Sequence, residues 1–247
     1  VGVSSGGEGV GVVGVGCVSS GGCVAPAGSA AAGVTAPSGS AESTTESTSQ
    51  AAPGTISERD VLAHYAMFLR DLVDLSEIRP LTVVVDAGNG MGGHTVPAVL
   101  GTRAGLPPLP LTVIPLYFEL DGTFPNHEAN PLNPENLRDL QAAVIANGAD
   151  LGLAFDGDAD RCFVVDERGE PVSPSAITAL VATREIAKER AAGRDATIIY
   201  NVISSAAVPE IIAEAGGTGV RTRVGHSFIK GEMARNKAVF GGEHSAH

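Results

Sequence analysis

Short apolar runs alternate with stretches of helical periodicity along most of this sequence. The runs are rich in Val, Ile and Leu, and lie at 81–86, 111–116, 151–155, 162–166, 197–202, 219–224 and 238–242. Apolar strands buried on both faces are typical of parallel sheets covered by helices. Strands that alternate with helices indicate βαβ units, so the pattern predicts an α/β fold with mainly parallel sheets.

Helical patterns fill most of the intervals between these runs. Ser57 and the following 58–70 predict a capped amphipathic helix that carries Val61, Tyr65, Phe68, Leu69 and Leu72 on one face. Further helices are predicted at 133–148, 173–193, 206–217 and 226–236. The stretch AGNGMGG (87–93) matches neither nucleotide-binding glycine motif, and we interpret it as a tight strand-to-helix turn.

The first 55 residues have a different composition from the rest of the chain. They contain no Lys, Arg, His, Leu or aromatic residue. A segment that buries so little apolar surface cannot offset the entropy lost on ordering, so we expect a disordered low-complexity tail, either genuine or translated out of frame. Two consecutive α/β domains are predicted after it, at 56–170 and 171–247, with the boundary near Pro171 and Pro174.

Charge and cysteine content exclude several classes of function. The formal net charge is −12, whereas nucleic acids and anionic membranes require a basic face, so neither partner is expected. The three cysteines form no paired framework, which favours a cytoplasmic protein. No apolar run reaches the roughly 18 residues that a membrane span requires.

The sequence DGDADR, at 156–161, carries the strongest chemical signal. Asp156, Asp158 and Asp160 alternate in a short loop between two apolar runs, where a curved backbone turns all three carboxylates toward one point. Carboxylates held so close require a cation, and their hard oxygens suit Mg²⁺ or Ca²⁺. Arg161 follows directly and is suited to a phosphate oxygen beside the metal.

Three interpretations of this loop compete. A solvated acidic turn is the simplest. An EF-hand would use Glu167 as its twelfth residue, but Arg161 stands where that loop needs Gly, and the flanks are strands. The third is a Mg²⁺ site for phosphoryl transfer, in which metal and arginine together stabilise the transferring charge.

The loop and four other stretches resemble one enzyme family. DGDADR is similar to the metal loop DGDGDR of the α-D-phosphohexomutases, the phosphomannomutase/phosphoglucomutase enzymes. Four further stretches stand in that family's order and spacing, two before DGDADR and two after it: VVVDAGNGMGG, FPNHEANPLNPENL, RTRVGHSFIKGEM and GGEHSAH. The resemblance covers about 56–247, and corresponds to the family's second and third domains.

The resemblance implies roles for individual residues. Asp156, Asp158 and Asp160 match the three Mg²⁺ ligands, and Arg161 matches the catalytic arginine beside the metal.

The same resemblance implies a substrate-binding group. Glu243 and Ser245 match the contacts to sugar hydroxyls in the GExSG loop. His226 matches a histidine near the substrate, although a structural hydrogen bond is an equal alternative for it. The implied partner is a phosphorylated hexose, either mannose or glucose phosphate.

The departures from the family pattern limit what is expected of this chain. The family's phosphorylated serine lies in a TASHNP-type loop, and the sequence has no such loop. Ile203 or Ser204 stands where many members have a lysine. We therefore expect a phosphomannomutase-like fragment, related to enzymes that interconvert hexose 1- and 6-phosphates through a bisphosphate, but inactive as written. The alternatives are a haloacid-dehalogenase-like phosphatase with Asp156 as nucleophile, and a non-catalytic metal- or ligand-binding fragment.

Overall fold

The first sheet has five strands and lies between helices. The computed structural model describes residues 54–247, so the predicted tail lies outside the described residues except for its last two. The elements are α1 (Leu62–Leu72), β1 (Leu81–Asp86), α2 (Gly92–Val99), β2 (Leu111–Leu116), a 3₁₀ turn (Pro134–Leu137), α3 (Arg138–Asn147), β3 (Leu151–Phe155), β4 (Cys162–Val165) and β5 (Pro171–Val172). The strand order is β2-β1-β3-β4-β5. β1 pairs in parallel with β2 and β3, whereas β3, β4 and β5 pair antiparallel.

The second sheet has three strands, all parallel. Its elements are α4 (Pro174–Ala191), β6 (Thr197–Asn201), α5 (Ala207–Glu214), β7 (Thr218–Thr222), α6 (His226–Asn236) and β8 (Phe240–Gly242). β6 is central and pairs with β7 and β8. The predicted fold class, two consecutive α/β domains with mainly parallel sheets, is confirmed, and the β3–β4–β5 hairpins form an antiparallel edge of the first sheet. The boundary at 170–171 stays a prediction.

Alternation along the central strands explains why each sheet is covered on both faces. Val84 packs into one cluster with Leu140 and Val144 of α3, while Val83 and Val85 point to the opposite face. Successive side chains of a strand point to opposite faces, so an unbroken apolar run buries both. β6 repeats the arrangement, with Ile198 facing α4 and α5 and Ile199 facing α6.

The first helix differs from its prediction. It begins at Leu62, whose N–H donates to Asp60 Oδ1 at 2.9 Å, so Ser57 does not cap it. The predicted apolar face is buried only in part, because Val61, Tyr65 and Phe68 are 56%, 46% and 58% exposed. The other two residues of that face, Leu69 and Leu72, are half-buried. The helix packs instead on its small Ala66, and Arg70 donates hydrogen bonds to the carbonyls of Val99, Gly101 and Pro107. Tertiary contact with α2 therefore decides which residues of the helix are buried, and the periodicity of the sequence alone does not predict them.

The glycine-rich segment after β1 forms the predicted strand-to-helix turn and also supports the DGDADR loop. Met91 N–H donates to the Gly157 carbonyl at 2.9 Å. A Cβ atom at Gly90 would lie only 2.6 Å from that same oxygen. The two loops are therefore in backbone contact, and only a residue without a side chain fits at position 90.

We expect Gly90→Ala to displace the DGDADR loop. The added methyl group overlaps the Gly157 carbonyl, which is backbone and cannot rotate away, so we expect a loss of roughly 1–3 kcal/mol in the free energy of unfolding. Urea denaturation measures this loss, and Gly122→Ala is the matched control because its Cβ would have nothing within 4 Å. Equal stability of the two variants would contradict the contact.

Candidate active site

The DGDADR loop is a tight turn between the antiparallel strands β3 and β4. Ala159 N–H donates to the Asp156 carbonyl at 3.1 Å, and Ala159 has φ +62°. One carboxylate oxygen from each of Asp156, Asp158 and Asp160 lies within 4.8 Å of the others. Asp156 is buried and the other two are exposed. The turn therefore brings together the three carboxylates that the spacing predicted.

Arg161 anchors the buried end of this trio. Its Nε donates to Asp156 Oδ2 at 2.7 Å, and its backbone N–H donates to Asp156 Oδ1 at 3.1 Å. Nε also lies 3.9 Å from Asp160 Oδ1. Within residues 54–247 the two Nη groups of Arg161 donate no hydrogen bond. Three carboxylates against one guanidinium leave two negative charges in the loop. An all-oxygen group with that charge fits a hard divalent cation such as Mg²⁺.

The GEHSAH loop follows β8 and is organised by a buried carboxylate. Glu243 is 1% exposed, and its Oε1 accepts from Asn201 Nδ2 at 3.1 Å and from Gly225 N–H at 2.7 Å. Its Oε2 accepts from Ser245 Oγ at 3.4 Å and lies 3.2 Å from His247 Nδ1. The carboxylate therefore joins β6, the start of α6 and its own loop, and Ser245 lies beside it as predicted.

The two loops meet, although nearly 90 residues of sequence separate them. Both belong to one compact unit that spans Asp60–His247. Cys162 N–H donates to the Ala246 carbonyl at 3.2 Å, and His247 Nε2 lies 3.3 Å from Asp160 Oδ1. The His226 ring stacks on His247 with centroids 5.3 Å apart. All the predicted site residues thus lie in one neighbourhood.

His247 is the site residue that sequence reasoning missed. Its ring contacts residues of both loops and of α6. A signal existed, because His247 stands two residues after Ser245 in the same GEHSAH motif, and an imidazole is a common metal ligand.

A second polar group lies beneath the site, at the end of β1. Asp86 is 1% exposed, and its Oδ2 lies 3.0 Å from His127 Nε2, while Gly88 N–H donates to Oδ1 at 2.8 Å. Burial raises the pKa of Asp86. Burial also opposes charge on His127, but the Glu128 carbonyl and the Asp86 carboxylate outweigh it and raise the pKa of His127 above its ordinary value of 6.5.

This pair connects the turn-rich 124–134 loop to the turn after β1. Asn126 Nδ2 donates to Asn89 Oδ1 at 2.8 Å beside it. The same turn contacts the Gly157 carbonyl, so the histidine supports the DGDADR loop through one intermediate layer. Sequence reasoning did not single out Asp86 or His127, which lie 41 residues apart.

Comparison with known proteins identifies the class. The family model for phosphoglucomutase/phosphomannomutase α/β/α domain II matches residues 63–169. The family model for α/β/α domain III matches residues 173–247. The chain belongs to the phosphoglucomutase/phosphomannomutase, or α-D-phosphohexomutase, family, as the sequence predicted.

Particular relatives agree with this assignment. The phosphomannomutase/phosphoglucomutase of Pseudomonas aeruginosa is 40% identical over 78% of this chain and 39% of its own length. The phosphomannomutase of Vibrio cholerae is 36% identical over 78% and 41%. A family protein from Burkholderia thailandensis of known structure has a TM-score of 0.67 at 34% identity, covering 76% of this chain and 38% of that one. The chain thus spans about two fifths of the length of these relatives.

We expect the Asp86–His127 pair to make stability pH-dependent. Because folding raises the pKa of His127, its stabilisation is complete below about pH 6.5 and is lost as pH rises through the raised value. His127→Gln keeps a donor but removes the charge, so it should cost about 1–2 kcal/mol near pH 6 and little near pH 9.

Urea denaturation at both pH values measures this difference. His64→Gln, on the exposed surface of α1, is the matched control. A cost for His127→Gln that does not change with pH would contradict the charged pair.

Proposed function

We propose that this chain supplies the metal loop and the sugar-binding loop of a phosphomannomutase-like phosphohexomutase. The observation that carries the proposal is the meeting of the two loops, through Cys162 N–H and the Ala246 carbonyl at 3.2 Å and through Asp160 and His247 at 3.3 Å. An oxygen site for a divalent cation and a polar loop for hydroxyl groups then lie side by side. A hexose phosphate carries both of the groups that such a surface binds.

The carboxylate loop would hold Mg²⁺ through Asp156, Asp158 and Asp160. When bound, Mg²⁺ supplies positive charge to phosphoryl oxygens. Arg161 fixes the buried Asp156 through Nε, which leaves its Nη groups available for a phosphoryl oxygen.

Glu243 and Ser245 would bind the sugar. Ser245 offers a hydroxyl that both donates and accepts, while Glu243 Oε2 accepts beside it. Since Glu243 already accepts from Asn201 and Gly225, its orientation is fixed before any substrate arrives. Preorganised groups of this kind lose little entropy on binding. His226 borders the same surface through its stack on His247.

For the whole protein, we propose interconversion of hexose 1- and 6-phosphates. Relatives named phosphomannomutase and phosphomannomutase/phosphoglucomutase support mannose or glucose phosphate as the substrate. A phosphoserine gives its phosphoryl group to the sugar, the bisphosphate reorients, and the serine is rephosphorylated. The phosphatase alternative, with Asp156 as nucleophile, is disfavoured because both carboxylate oxygens of that buried residue accept hydrogen bonds from Arg161.

We expect Asp158→Ala to lower Mg²⁺ affinity by about tenfold or more. Loss of supporting residues around a metal already lowers affinity about 10–100-fold, and Asp158 is proposed as a direct ligand. Isothermal titration with MgCl₂ measures the change. Asp195→Ala removes an exposed aspartate outside the loop and is the matched control. Equal affinity in the two variants would rule out the site.

We expect no mutase turnover from the 247-residue chain alone. A phosphohexomutase needs a serine that carries the phosphoryl group, and no TASHNP-type loop occurs in this sequence. The two loops described here bind and position but have no phosphoryl group to donate. The measurement is a coupled assay of mannose 6-phosphate formed from mannose 1-phosphate with a hexose bisphosphate primer. Activity within about tenfold of an intact mutase would contradict this expectation.

A further inference from the structure

Two histidines and one aspartate form a second group of potential metal ligands. Asp160, His226 and His247 each offer an atom within 4.8 Å of the others. Asp160 and His226 are exposed, and His247 is 26% exposed in its side chain, so the group is open to solvent. It shares only Asp160 with the carboxylate loop.

The orientation of His247 is fixed by the buried Glu243. Glu243 Oε2 lies 3.2 Å from His247 Nδ1, and Ser245 Oγ lies 2.9 Å from the same nitrogen. These two contacts fix the ring and turn its other nitrogen, Nε2, toward Asp160. This arrangement of carboxylate and imidazole is the one that supports metal-binding histidines in proteins.

The second ring nitrogen faces the carboxylate loop. His247 Nε2 lies 3.3 Å from Asp160 Oδ1. An imidazole nitrogen and a carboxylate oxygen at this distance share a cation, which is either the proton of an imidazolium or a metal ion. In tetrahedral zinc coordination with bonds of about 2.1 Å, neighbouring ligand atoms are about 3.4 Å apart. The observed separation therefore suits a shared metal ion.

The ligand types select the kind of metal. Mg²⁺ favours oxygen ligands, whereas imidazole nitrogen suits Zn²⁺ and its neighbours among the transition metals. Two imidazoles and one carboxylate make three protein ligands, and a fourth tetrahedral position stays open to water or to a substrate oxygen.

We propose that Asp160, His226 and His247 bind Zn²⁺ or a similar transition metal at a site distinct from the proposed Mg²⁺ loop. Because Asp160 belongs to both groups, an ion at the histidines withdraws a carboxylate from the loop, and the two ions compete. The competition rests on the proposed function of the loop, whereas binding at the histidines does not.

Isothermal titration with ZnCl₂ and, separately, with MgCl₂ tests the proposal, because different variants should lose affinity for each ion. His226→Ala and His247→Ala should each lower Zn²⁺ affinity by about tenfold or more and leave Mg²⁺ affinity unchanged. Asp158→Ala should lower Mg²⁺ affinity and keep Zn²⁺ affinity. Asp160→Asn, an exposed and nearly isosteric change, should lower both. His64→Ala, on exposed α1, is the matched control and should lower neither.

The tautomer of His247 gives a second, spectroscopic measurement. In Glu243→Gln the amide oxygen keeps the Asn201 and Gly225 hydrogen bonds, so its NH₂ group faces His247 Nδ1. An amide N–H that points at Nδ1 favours the tautomer with the proton on Nε2, which ¹⁵N NMR of the ring reports directly, and Zn²⁺ affinity should fall about 10–100-fold.

Two results would overturn the proposal. One is unchanged Zn²⁺ affinity in both histidine variants, with folding verified by circular dichroism. The other is loss of Zn²⁺ binding in Asp158→Ala together with Mg²⁺ binding, which would mean that zinc binds at the carboxylate loop. Failure of Mg²⁺ binding alone, with zinc binding retained, would contradict the proposed loop function and leave the histidine site supported.

Discussion

The candidate site depends on one buried carboxylate. Glu243 is almost inaccessible, and an unpaired charge in such a position would be strongly destabilising. Hydrogen bonds from Asn201 and Gly225 satisfy one oxygen, while Ser245 and His247 lie against the other. The residue that sequence analysis assigned to sugar binding therefore also joins β6, α6 and the loop after β8. The proposed sugar contact and the local hydrogen bonds therefore depend on the same side chain.

Both signature loops contain an alanine in a left-handed conformation. Ala159 has φ +62° and Ala246 has φ +70°, at positions where the related motifs DGDGDR and GExSG have glycine. Such a conformation costs about 1–2 kcal/mol for a residue with a Cβ atom. The turn hydrogen bonds from these alanines to the carbonyls of Asp156 and Glu243, each 3.1 Å, hold the conformation in place. These bends turn the carboxylates of each loop toward one another. They also raise the local energy of the backbone.

Sequence reasoning predicted the local elements well and the long-range contacts poorly. The predicted β2, β3 and α6 have the observed bounds, because apolar alternation and helix-stopping residues are local signals. The buried face of α1 was predicted only in part. Its packing depends on Arg70, which donates to the Val99 carbonyl of α2, 29 residues further along the chain. The Asp86–His127 pair went unnoticed for the same reason. Family motifs led to the metal and sugar loops, but only the fold brings Asp160 within reach of His247.

Charge favours one order of binding for the ligands proposed for this surface. The two loops bring four carboxylates together, those of Asp156, Asp158, Asp160 and Glu243, against the single permanent cation of Arg161. Four negative charges against one positive leave a local excess that repels an anionic sugar phosphate, and the whole chain has a net charge of −12. A divalent ion at the proposed metal loop would lower that excess from three negative charges to one, so its binding would favour the later binding of the phosphate. In the proposed zinc site the histidines beside Asp160 would favour zinc, whereas the oxygen ligands of the proposed metal loop favour magnesium.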